Sequence, residues 1–188
     1  MHLSGVQTVV RLKAYCPRIG LPSPEREFEI CTQVPNPKIV DIPEGHCLVK
    51  NLYLSMDPAM RGWMTDMKGS YLPPLTLGSI MRGGSVGLVL HSKSTKIKQG
   101  DYVNCNPDAI GWAQYGITSD ALLTKITPRH GIPIRAYAGI LGGTGLTAYF
   151  GLLEIGKPKQ GDVVLVSAAA GAGMFIICFI FATIELTR

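Results

Sequence analysis

Several stretches of this 188-residue chain carry residues whose type and spacing could do chemistry. Ala168-Ala-Ala-Gly171-Ala-Gly173 follows the apolar run Val163-Val-Leu-Val-Ser167. Glycines there let a pyrophosphate approach the backbone, and a following helix offers the positive end of its dipole. The full GxGxxG spacing would need a third glycine at 176, where Ile176 stands. Gly151-Leu-Leu-Glu-Ile-Gly156-Lys157 fits most of a phosphate-loop pattern, but Pro158 occupies the place of the magnesium-binding Ser or Thr. That segment also reads as helix and follows no strand, so the phosphate-loop reading is rejected. Five cysteines (16, 31, 47, 105, 178) form no CxxC pair, and four histidines (2, 46, 91, 130) show no HxxxH spacing. Neither a disulfide framework nor a metal site is expected. His46 and Cys47 are neighbours on a strand and face opposite ways. The remaining stretch, Asn51-Leu-Tyr-Leu-Ser-Met-Asp-Pro-Ala-Met-Arg-Gly-Trp-Met64, reads plainly as a strand that ends in an Asp-Pro turn.

The elements that must position these residues follow from the pattern. From residue 5 to about 127 the chain alternates short strands with turns. Candidate strands are Phe28–Thr32, with Phe28, Ile30 and Thr32 on one face, then Leu48–Leu54, Gly83–Leu90, Asp101–Cys105 and Tyr115–Thr118. Pro-rich turns at 35–37, 43–45 and 73–74 separate them, which suggests a small barrel or sandwich. After Pro128 the texture becomes helical. Ile134–Ile140 and Thr144–Ile155 are expected helices, the second with Thr144 as its cap and Gly156 as its stop. Val163–Ser167 is expected to be a buried parallel strand. Lys-Gln-Gly-Asp occurs at 98–101 and again at 159–162, each time before an apolar run, and reads as repeated turn chemistry.

Composition bounds the function. Charged residues make up 16% and hydrophobic ones 46%, which excludes a mostly disordered chain. The net charge of +5 comes from scattered Lys and Arg, and the tightest group (Lys93, Lys96, Lys98) has no aromatic stripe beside it. A nucleic-acid surface is therefore not expected. The N-terminal stretch shows no apolar signal region, so a cytoplasmic, reducing setting is the default. The 22 uncharged residues from Val163 to Ile184 leave a membrane span open as an alternative.

The Asn51–Met64 string resembles the region after a barrel strand in the zinc-free medium-chain reductases, the group of prostaglandin, alkenal double-bond and curcumin reductases. Further strings agree in the family's order: Met81-Arg-Gly-Gly-Ser-Val-Gly87, Gly111-Trp-Ala-Gln-Tyr115, the linking helix Leu141–Leu153, and Val163–Ala172 as the first Rossmann strand and glycine turn. The resemblance implies a GroES-like barrel over 1–128 and linking helices with the start of a Rossmann-type domain over 129–188. It implies NADPH as cofactor and reduction of the C=C bond of an α,β-unsaturated ketone or aldehyde. Tyr53, Met56, Arg61 and Met81 become substrate-cleft candidates. Thr144, Thr147, Ala170, Gly171, Ala172 and Gly173 become cofactor candidates. No metal ligand and no catalytic proton donor is assigned, and family members dimerise through the cofactor domain. Three departures stand out: Ala59 replaces an aromatic residue, Trp63 replaces an arginine, and 174–188 leaves the family pattern. A truncated cofactor domain with weak or no activity is expected from the last. A non-catalytic barrel remnant and a fragment anchored through 163–184 are the alternatives.

Overall fold

The computed structural model describes residues 5–17, 19–66, 73–167 and 169–185, with side chains to residue 180. His2, Ala168 and residues 186–188 of the expectations above lie outside the described residues. The chain divides into two compact units, 1–132 and 133–188.

Among the described residues unit 1 holds seven strands, β1 (Val6–Leu12), β2 (Phe28–Pro35), β3 (His46–Leu54), β4 (Ser85–Ser92), β5 (Tyr102–Cys105), β6 (Tyr115–Ser119) and β7 (Leu123–Ile126), and two short helices, α1 (Pro24–Glu27) and α2 (Met60–Trp63). β1 and β2 pair antiparallel, and the other five form an antiparallel sheet in the order β6-β3-β4-β5-β7. Each strand expected before Pro128 is present, with ends shifted by a few residues. The two sheets are sewn together along β1. Val10 N–H donates to Trp112 O at 2.9 Å, and Met81 N–H donates to Val10 O at 2.8 Å. The result is the small barrel that the strand and turn pattern predicts.

The alternation in these strands fills one interior. Val9, Cys47, Val49, Val89, Val103 and Cys105 form its centre. A second cluster, Leu12, Cys16, Met60, Trp63, Met64, Leu75 and Met81, closes one end. In β2 the structure corrects the expected face. Ile30 is exposed, while Cys31 and Val34 pack inward. A register shift between Gln7 and Val9 leaves one extra residue between Cys31 and Val34, so these two face inward although they are three apart.

Unit 2 contains two α-helices, α3 (Gly143–Tyr149) and α4 (Ala172–Glu185), with a 3-10 turn at Ile134–Ala138 and a π-helical turn at Phe150–Gly156. α3 starts from Gly142 rather than from a threonine cap, and Thr144 is an interior residue of the helix. Tyr149 and Phe179 meet edge to face at 6.2 Å, which packs α4 on α3. Val163–Ser167 forms no strand: Val163 is 97% and Leu165 92% exposed. A strand needs a neighbour to accept its ladder, and among the described residues no strand lies beside this run. No helix among the described residues is long and apolar enough to cross a membrane. α4 has 14 residues, about 21 Å at the α-helical rise, against a hydrocarbon core of about 30 Å.

Candidate functional site

β3 carries the first four residues of the Asn51–Met64 string. Asn51 anchors it. Its Nδ2 donates to Gly111 O at 3.0 Å and Ala113 O at 2.7 Å, and its Oδ1 accepts from the Ser85 hydroxyl at 2.6 Å. One side chain thus fixes β3, β4 and the 111–113 segment against each other. Beyond β3, Ser55 N–H donates to Gly84 O at 2.8 Å. Asp57 then turns the chain, its Oδ1 accepting from Ala59 N–H at 2.7 Å, and the short helix α2 (Met60–Trp63) follows.

This frame places the expected residues differently from one another. Tyr53 is exposed on β3, and Met56, at 65% exposure, is exposed in the turn. Arg61 is half-buried, and its Nη2 donates to Pro17 O, so it ties Pro17 to α2. Met81 has no exposed surface. It lies inside the second cluster, with its N–H and C=O both bonded to neighbouring backbone. Tyr53 and Met56 are thus each exposed, Arg61 is tied to Pro17, and Met81 lies in the interior. Ala59 packs against the same cluster, and the Trp63 ring lies within it.

Sequence reasoning passed over Asn51, Arg82 and Asp108. Asn51 opened the recognised string, which was the available hint. Arg82 stacks over Trp63 with its guanidinium carbon 5.5 Å from the ring centre and pairs with Asp108. Gly83 fits against the Trp112 indole, where a Cβ would come within 2.7 Å of the ring nitrogen. Phe28 stacks on the other part of that indole system at 5.5 Å between centres.

In unit 2, Thr144 is buried in α3, while Thr147 is exposed and its hydroxyl donates to Gly143 O at 2.8 Å. Ala169 and Gly171 adopt left-handed backbone, with φ of 41° and 56°. They turn the chain into the start of α4 at Ala172. No side chain from 169 to 173 extends beyond Cβ, so the turn is open to a pyrophosphate in shape, and the helix start suits its charge. Ala170 is exposed, and Gly171, Ala172 and Gly173 are half-buried. Gly173 N–H donates to Ala170 O at 3.1 Å and is not free for a phosphate. Among the described residues no three His, Cys, Asp or Glu side chains gather as a metal site.

Residues 19–126 match the family of the N-terminal domain of oxidoreductase. The 2-alkenal reductase (NADP⁺-dependent) of Nicotiana tabacum is 44% identical over 134 residues, 70% of this chain and 38% of that protein. The NADPH-dependent curcumin reductase of Escherichia coli is 42% identical over 128 residues, 68% of this chain and 36% of that protein. The crystal structure of CurA from Vibrio vulnificus superposes with a TM-score of 0.75 at 33% identity, covering 90% of this chain and 47% of that one. A second CurA structure from that organism contains NADPH. The chain spans less than half the length of these relatives. It belongs to the medium-chain dehydrogenase/reductase family, in the zinc-independent group of curcumin, alkenal and prostaglandin reductases.

Proposed function

We propose that this chain supplies the substrate domain, and the beginning of the cofactor domain, of an NADPH-dependent oxidoreductase. Its reaction reduces the C=C bond of α,β-unsaturated ketones and aldehydes. The observation that carries the reading is the folded Asn51–Met64 string, which presents Tyr53 and Met56 beside an Asn51-fixed strand end, in a chain 44% identical to a 2-alkenal reductase over the matched residues. When bound, NADPH would supply a hydride to the β-carbon of the enone, with a proton reaching the α-carbon. The carbonyl oxygen would need a donor as charge builds on it. Tyr53 offers an exposed phenolic hydroxyl, and Met56 offers an adaptable apolar wall. Arg61 ties Pro17 to α2. Ala170, Gly171 and Ala172 would hold the pyrophosphate, with Gly173 leaving room for it by its missing Cβ and Thr144 and Thr147 on the nicotinamide side. The described cysteines are all free thiols, which suits a reducing compartment.

The test is NADPH oxidation by the chain with an α,β-unsaturated aldehyde, alongside NADPH binding followed by its fluorescence. Enal-dependent loss of NADPH is the expected result. One observation favours a second reading, a barrel module that binds small apolar ligands without turnover: the 163–167 run that should hold the glycine turn is exposed and unpaired. Ligand binding with no NADPH binding would select that reading. Neither binding nor turnover would remove both.

A further inference from the structure

The 163–167 run, Val-Val-Leu-Val-Ser, has the features of a strand except a neighbour. It is rich in valine, and β-branched side chains suit a pleated backbone. Its exposure alternates with the period of a strand. Val163 is 97% and Leu165 92% exposed, whereas Val164 is 42% exposed and Val166 is half-buried. Val166 is seated on its own unit. Its Cγ1 lies 3.4 Å from where a Cβ would stand at Gly173, in the first turn of α4. One face is thus partly covered and the other is open. Among the described residues, no backbone group from 163 to 166 has a backbone hydrogen-bond partner. The same Lys-Gln-Gly-Asp turn at 98–101 leads into β5, which has β4 on one edge and β7 on the other. An open apolar strand edge of this kind recruits another strand.

Charge selects the partner. No charged residue occurs from 163 to 184, so a charged strand laid along this edge would lose hydration with nothing to offset it. The run of a second copy is equally uncharged and presents the same unpaired groups. Charge also selects the direction. A parallel, in-register pair would set Lys159 against Lys159 and Asp162 against Asp162 of the two copies, and like charges directly opposite each other destabilise a ladder. An antiparallel pair centred on Leu165 sets Val163 opposite Ser167 of the second copy. The two Asp162 residues then stand about 20 Å apart at the rise of a strand, beyond the screening length of ordinary buffer. A two-fold pair of this kind uses the same patch on both copies and closes at two.

We propose that 163–167 is a homodimerisation edge, at which two copies of this chain each contribute one strand to an antiparallel ladder about Leu165. The pairing needs neither cofactor nor substrate, so it stands or falls apart from the reductase reading. Sedimentation of the 188-residue chain tests it, in reducing buffer that keeps the exposed Cys178 from cross-linking. The mass is expected to rise from 20.2 kDa to twice that value between about 1 and about 100 µM, a range that brackets a micromolar dissociation constant. Leu165→Lys and Leu165→Glu each place like charges at the two-fold axis, and each should stay at the lower mass. Leu165 is exposed in the single chain, so neither change disturbs its folding. Mixed in equal amounts, the two variants should restore the doubled mass, which general apolar sticking would not do. In a Cys178→Ser background, Val163→Cys should cross-link on oxidation with Ser167→Cys and not with itself, because only the antiparallel register brings those two positions together. A chain that stays at the lower mass, its edge left to a strand from elsewhere, overturns the proposal. So do assemblies larger than two, a doubled mass in either single variant, no recombination in the mixture, or Val163→Cys cross-linking to itself.

Discussion

Cys105 ends β5 in the barrel interior, and burial pushes its thiol up to about 11 from an ordinary 9.0, against a smaller lowering by the Ser85 hydroxyl. The folded chain therefore keeps this proton when the unfolded chain has begun to lose it. Stability from Cys105 is complete below about pH 9 and is lost as the pH rises toward 11. Cys47 and Cys16 are raised by burial in the same direction. Urea midpoints taken across that window should fall for the natural chain and fall less for Cys105→Ala; parallel curves would contradict the assignment. At this scale the sequence was legible in part. Tyr53 and Met56 proved exposed, but nothing local distinguishes Met56 from the interior Met81. Asn51 was invisible as an anchor because its carbonyl partners lie 60 and 62 residues away.

Elements follow local chemistry where the chain closes on itself, and depart from it where a neighbour intervenes. Gly111 has φ of 69°, and a Cβ there would come within 2.4 Å of Met81 O. Both terms act together, so Gly111→Ala should destabilise unit 1 by about 2 kcal/mol or more. Urea unfolding measures it, and a loss under about 0.5 kcal/mol, typical of an ordinary surface site, would show that the segment relaxes. The expected strands appeared because alternation and turn residues agree there. Past Cys31, β2 breaks its period because β1 pairs with it one residue out of step. Its inward face, Phe28, Cys31 and Val34, could not be read without the partner.

At the scale of the molecule, the two units differ in how much apolar surface they bury. Unit 1 closes its strands around two clusters, whereas unit 2 leaves Leu146, Phe150, Ile155, Val163 and Leu165 exposed. A piece comprising residues 1–132 should keep the β-sheet circular dichroism, unfold in one step and bind less hydrophobic dye than the 188-residue chain. Loss of the β signal in that piece would mean that unit 1 needs the remainder to fold. The family's barrel was legible from strings spread over the chain, since each encodes a turn or strand end of fixed local geometry.

The two Lys-Gln-Gly-Asp turns separate what sequence determined from what tertiary structure decided. At 98–101 and 159–162 the glycine takes φ of 88° and 93°. In each, the aspartate Oδ2 accepts from the lysine N–H, at 2.8 and 2.7 Å. Four residues suffice for that geometry, so sequence alone determined both turns. The apolar run after the first becomes β5, because β4 and β7 lie on either side to accept its ladder. The more apolar run after the second stays exposed and unpaired. A strand is a property of a pair, and only the folded chain supplies the second member.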